Sequence, residues 1–223
     1  MLFRSSPSVV FADADLEQAV AGVLFSGFFN AGQICTTGSR LLVEESIAEE
    51  FLARLSKKVA TLRMGDPASE ETDLGPLVDR IQFERVKEYI RVGQAEGARS
   101  YFVGNGSKPS RGYFVSPVIF TGVQPTMRIA QEEIFGPVLS VLTFREEPEA
   151  VALANSVAYG LAASLWTTNL GRALRMARAI QAGIVWTNTV EYWEPSVPYG
   201  GQDRKSTRLN SSHIQKSRMP SSA

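Results

Sequence analysis

Two hydrophobic periods take turns along this chain. Apolar, often β-branched runs appear in "SVVF", "SRLLVEE", "RSYFVG", "YFVSPVIFTGV", "GPVLSVLTF", "AASLWT" and "GIVWTN". Short runs of this kind read as strands. Between them, apolar residues recur at helical spacing. Leu16, Ala19, Val20, Val23 and Leu24 share one face, with Asp13 placed to cap the helix start. Phe51, Leu52, Leu55, Val59 and Leu62 share another, behind a Ser46/Glu49 capping-box pattern and stopped by Gly65-Asp66-Pro67. A helix over 80–96 turns Ile81, Val86, Tyr89 and Ile90 inward and ends at Gly97; two more are predicted over 148–157 and 170–181. Strand–helix alternation predicts an α/β fold, an open, mostly parallel sheet flanked by helices. The loop over 105–112 ("NGSKPSRG") reads as an insertion within one domain, not a linker.

The pattern stops at residue 202. Beyond it, Leu209, Ile214 and Met219 follow neither period. Back-translated, 203–213 and 217–223 match the two ends of a common short-read sequencing adapter, with an index-sized insert between them. The expectation is one domain over 1–202 and a non-native, disordered tail over 203–223. Without the tail's five basic residues and one acid, 18 basic residues face 22 acidic ones, a net of about −4, and the only histidine, His213, is gone. A mildly acidic body without a basic run predicts neither nucleic-acid nor anionic-membrane partners. No apolar run approaches the roughly 18 residues of a membrane span. A single cysteine makes no internal disulfide, and the expectation is a cytoplasmic protein.

Candidate chemistry sits in two stretches. In "FFNAGQICTTGSR", Cys35 lies in a Gly- and Thr-rich turn where backbone N–H groups could converge on a substrate oxygen. A lone cysteine also has a plain reading as a small core hydrophobe. Without a histidine no Cys–His pair forms, and a metal site is equally unsupplied. In "MRIAQEEIFGPVLSVLTF", Glu132 and Glu133 precede a turn into a strand. They fit either a solvated acidic turn beside a core Phe135, or a carboxylate holding the vicinal hydroxyls of a sugar.

Together "FFNAGQIC", "MRIAQEEIFGPV", "YGLAASLWT" and "AGIVWTN…PYGG" stand in the order and spacing of the aldehyde dehydrogenase superfamily, and the resemblance covers about 6–201. It implies an NAD- or NADP-dependent catalytic domain acting on a small-molecule aldehyde. Cys35 matches the nucleophile, which forms a thiohemiacetal and then an acyl-thioester, with its own N–H as half of an oxyanion hole. Glu133 matches the acid on the nicotinamide ribose and Phe135 the aromatic beside the nicotinamide. Ile34, Thr36, Glu191, Trp193 and Tyr199 match the substrate entrance, and Asn188 an asparagine near the site. The entrance is compatible with aromatic, amino- or aliphatic aldehydes.

The family's general base belongs to E-L-G-G-K. Aligned on Ser6-Pro7 it falls at Met1, where "MLFRSS" lacks the motif. The coenzyme-binding domain and the oligomerising strand have no counterpart in the sequence. The resemblance therefore implies an inactive fragment of an enzyme that is otherwise a homodimer or homotetramer. Two other readings stay open: an acylating relative that passes the acyl group to coenzyme A, and a non-catalytic member of the superfamily.

Overall fold

The computed structural model describes residues 6–104, 106 and 109–201. The adapter-like tail, Met1 and part of the 105–112 loop lie outside them. Seven strands form one sheet: β1 (Pro7–Val10), β2 (Arg40–Glu44), β3 (Arg99–Val103), β4 (Val118–Thr121), β5 (Val138–Phe144), β6 (Ala162–Trp166) and β7 (Ile184–Thr187). Their order is β3-β4-β5-β2-β1-β6-β7. Every pairing is parallel except β3 with β4, so the sheet carries one antiparallel edge.

Period-two alternation divides each strand between two cores. Val9, Leu42, Phe120, Leu142 and Leu165 enter one; Val10, Leu41, Ile119, Val141 and Trp166 enter the other. Helices α1 (Leu16–Phe28) and α2 (Ala48–Val59) cover the second face. The first face is covered by α3 (Arg80–Ala95), the short α4 (Arg128–Gln131), α5 (Glu147–Ala154) and α6 (Leu170–Ala179). Burial on both faces explains why the strands read as continuous apolar runs.

Several local expectations are corrected. Asp15, not Asp13, caps α1, accepting from Glu17 N and Gln18 N. Asp13 instead reaches across the sheet to Thr167, Thr168, Asn169 and Arg172. The Ser46/Glu49 capping box does not form, because a 3₁₀ turn over Glu45–Ile47 takes up Ser46, whose hydroxyl donates to Glu44. Helix α2 then ends at Val59, ahead of Gly65-Asp66-Pro67. Ile81 is 78% exposed, because α3 is rotated to turn Gln82, Val86 and Tyr89 toward the body. The long run "YFVSPVIFTGV" pairs only over β4.

Candidate active site

Two loops that lead into the N-terminal ends of β2 and β5 carry the motifs. The first begins where α1 stops. Asn30, Ala31 and Gly32 take left-handed φ of 50°, 53° and 72°, which folds the chain back on itself. Gln33 ties this turn down: its Oε1 accepts from Val78 N at 2.9 Å and its Nε2 donates to Asn30 O at 3.2 Å. Thr37 Oγ1 donates to Gly32 O at 3.2 Å, and Thr37 N to Ile34 O at 3.1 Å. Cys35 therefore sits at the tip of a doubly tied turn. Among the described residues, no carbonyl takes its backbone N–H.

Ile34, Cys35 and Thr36 form one wall of a cavity of about 660 Å³. Glu191, Trp193 and Tyr199 form a second wall, from the segment after β7. That segment runs back along the strand, so Gly200 presses against Gly183, and Trp186 Nε1 donates to Tyr192 O at 3.0 Å. Tyr199 is thereby brought to Cys35, with its hydroxyl 3.3 Å from Sγ. Trp193 meets Tyr199 edge-to-face, ring centroids 4.8 Å apart. Glu191 holds a left-handed φ of 53°. Burial raises its carboxyl above the usual carboxylate range, and Thr36 and Trp193 beside it pull the other way. The Thr36 hydroxyl is itself buried and makes no bond of regular geometry among the described residues.

The third wall was not foreseen. Phe25 and Phe29 stack at 4.7 Å and line the cavity while 42% and 52% exposed. The signal was present in "FSGFF": Phe25 and Phe29, four residues apart at the end of α1 and next to the cysteine turn. Asn188 does not line the cavity. Its amide is committed to Thr167, donating to the carbonyl at 2.9 Å and accepting from the N–H at 3.0 Å.

Glu133 and Phe135 lie outside the cavity, in the turn before β5. Ile134 is the buried residue of that turn; Phe135 is only half-buried and takes a left-handed φ of 57°. Helix α3 holds the turn by its backbone. Gln82 Nε2 donates to Ile134 O and Phe135 O, both at 2.9 Å, and Arg85 Nη2 to Glu133 O at 2.8 Å. Glu132 is the structural acid of the pair, paired with Arg128 and accepting from Tyr89 at 2.7 Å. The two loops touch at Gly32, where an added Cβ would overlap the Gly136 carbonyl. Among the described residues, no cluster of His, Cys, Asp and Glu is arranged to hold a metal.

Residues 5–214 match the model of the aldehyde dehydrogenase family. Among curated proteins, a betaine aldehyde dehydrogenase of Cereibacter sphaeroides is 44% identical over 88% of this chain and 40% of its own length. An aldehyde dehydrogenase of Emericella nidulans is 42% identical over 88% of this chain and 39% of its own. Among solved structures, an NAD-dependent aldehyde dehydrogenase from Sinorhizobium meliloti superposes with a TM-score of 0.87 at 42% identity, covering 91% of this chain and 40% of that one. Betaine aldehyde dehydrogenase from Staphylococcus aureus, solved with NAD+, gives 0.85 at 36%, covering 90% and 40%. The chain thus spans about two fifths of the length of these relatives. The family match, with close relatives over nearly nine tenths of its length, establishes that this chain belongs to the aldehyde dehydrogenase family.

Proposed function

We propose that this chain supplies the cysteine-bearing catalytic domain of a longer NAD- or NADP-dependent aldehyde dehydrogenase. One observation carries the reading: Cys35 faces an aromatic cavity from a fixed turn, its N–H taken by no carbonyl among the described residues. Its thiolate attacks the aldehyde carbon, and the new oxyanion accepts from the Cys35 N–H. The thiohemiacetal loses hydride to become an acyl-thioester, and water releases the carboxylic acid and the thiolate.

The residues present fit a dinucleotide beside the thiol. The Glu133 carboxylate suits a pair of ribose hydroxyls, and half-buried Phe135 offers a ring face for an aromatic amide. Their turn abuts the cysteine turn at Gly32 and Gly136. NAD(P), when bound there, supplies the hydride acceptor. Residues 1–202 form the domain, 203–223 are foreign to it, and the longer enzyme is a cytoplasmic homodimer or homotetramer.

The test is mass spectrometry of the longer enzyme quenched during turnover. An acyl adduct on the Cys35 peptide, with oxidation lost in Cys35→Ser, is expected. Oxidation that survives Cys35→Ser overturns the reading. Offering coenzyme A to the trapped adduct separates an acylating enzyme from a hydrolytic one. The 223-residue chain alone, lacking a matched general base and coenzyme domain, is expected to make no NADH from NAD+ and an aldehyde.

A further inference from the structure

The Cys35 sulfur has a partner from far along the chain. Tyr199 lies 164 residues later, and its hydroxyl stands 3.3 Å from Sγ. No histidine, lysine or arginine lines the cavity, so a phenol is the donor that meets the thiol. The direction of the bond follows from the two groups. A phenol O–H is an ordinary donor, an S–H is a weak one, and a thiolate has no proton to give. Tyr199 therefore donates and the sulfur accepts.

Both ends of this bond are held. The sulfur hangs from a turn whose backbone is tied at Gln33 and Thr37, which leaves rotation of the Cys35 side chain as its main freedom. The tyrosine ring packs against the cluster of Leu161, Ala162 and Trp186. Trp193 meets it edge-to-face at 4.8 Å and meets Trp186 edge-to-face at 5.2 Å. Trp186 is pinned in turn by its bond to Tyr192 O. Ring pairs of this geometry are directional, so the hydroxyl is presented at a set place.

We propose that Tyr199 is a positioning residue for the nucleophile: its hydroxyl holds the Cys35 sulfur in one rotamer, aimed into the cavity, until the aldehyde is attacked. This rests on the aldehyde dehydrogenase reading of the site and adds a residue to it. The bond belongs to the reactant alone. On attack a sulfur lone pair becomes the C–S bond and the carbonyl electron pair moves to oxygen, while the phenol keeps its proton. The thioether-like sulfur that results is a weak acceptor, and the hydroxyl lets go. Holding the thiolate lowers its intrinsic reactivity; the gain is a sulfur already placed for the carbonyl.

Tyr199→Phe keeps the ring and removes the hydroxyl, and two rates in the longer enzyme should then move in opposite directions. Alkylation by iodoacetamide at about pH 9.5, between the ordinary thiol and phenol values, should rise about threefold, because a small reagent needs no aimed sulfur. The first-turnover burst of NADH at saturating aldehyde should fall at least about threefold, because the aldehyde does need one. Trp193→Leu leaves the hydroxyl but removes the ring that steadies it, and should raise alkylation by less.

Rates that fall together, alkylation that does not change, or a burst that does not fall each overturn the proposal. Should Tyr199→Phe fail to fold, alkylation of Trp193→Leu decides alone, and a wild-type rate there overturns it. Alkylation needs no turnover, so the outcome is separable from the reaction itself. Oxidation that survives Cys35→Ser refutes the catalytic reading, whereas unchanged alkylation in Tyr199→Phe refutes the tyrosine's hold on the sulfur.

Discussion

A methyl group added at Gly32 would overlap the Gly136 carbonyl and would have to accept a φ of +72°. Both penalties act at the one point where the cysteine turn meets the Glu133 turn. Gly32→Ala is therefore expected to destabilise the fold by about 3 kcal/mol. It should also slow iodoacetamide labelling of Cys35 severalfold by displacing the turn, and a urea midpoint and labelling rate like those of the wild type would refute this. Two aspartates near the start of α1 give a second residue-scale contrast. Asp15 is a cap, and Asp15→Ala should lower stability by about 1 kcal/mol. Asp13 accepts from Thr167 Oγ1 at 2.8 Å, Asn169 N at 3.1 Å and Arg172 Nη1 at 2.7 Å, joining β6 and α6 to the end of β1. Asp13→Ala should cost about 2 kcal/mol, the larger loss, because it leaves a partly buried guanidinium and a backbone N–H with fewer acceptors. Equal melting temperatures for the two variants would contradict that order. The sequence alone placed the cap at the wrong aspartate because both precede the apolar stripe; only the position of Thr167 across the sheet separates them.

The working element beneath the Glu133 turn is α3. Residues at helical spacing, Gln82, Arg85, Val86 and Tyr89, all meet that turn or its flanks. Gln82→Ala frees the Ile134 and Phe135 carbonyls, and is expected to raise the KM for NAD(P) of the longer enzyme severalfold with kcat little changed. A fall in kcat at constant KM would point to the cysteine loop instead. Glu132 supplies a pH-dependent link between α3 and α4. The Arg128 guanidinium, with help from the Tyr89 hydroxyl, holds its carboxyl below the usual carboxylate range. Stability from a depressed carboxylate is present above the unfolded value, about 4.3, and is lost as pH falls through the folded value. Glu132→Gln should therefore lower stability at pH 7 and converge with the wild type in acid; a constant gap across pH would overturn the assignment. Strands were legible because both faces of each are buried, and Val86, Tyr89 and Ile90 because they follow helical period. Ile81 shares that period yet stays outside, since hydrogen bonds from Gln82 and Arg85 to the turn set the rotation of α3. The antiparallel edge at β3 was not legible either, because its residues pair on one side only and read like any other strand.

The whole molecule places its candidate chemistry on one edge. Open parallel sheets commonly bind ligands beyond the carboxyl ends of their strands, where the order switches. Here that switch lies between β1 and β6, and the Asp13–Thr167–Arg172 network fills it. Cys35 and Glu133 lie at the opposite ends, on loops entering β2 and β5. Several exposed apolar residues lie beside those loops, while others, such as Leu170 and Leu174, lie on α6. Val78, whose N–H donates to Gln33, is 77% exposed; Ile81, beside Gln82, is 78% exposed; Phe25, Phe29 and Trp193 border the cavity. Exposed apolar residues of this kind beside Cys35 suit a surface that further protein covers. The motifs made the cysteine turn legible, but not this rim, since Ile81 reads in the sequence as an inward-facing helix residue. The 223-residue chain is accordingly expected to bind an apolar dye and to self-associate as its concentration rises. The double variant Val78→Ser, Ile81→Ser should weaken both effects without changing circular dichroism, because neither side chain packs in the core. In the longer enzyme the same pair should be destabilising, since there the covering segment would meet two hydroxyls in place of two apolar side chains. A chain that stays monomeric and dye-free, or a longer enzyme indifferent to the substitutions, would mean that the edge faces water in the working protein.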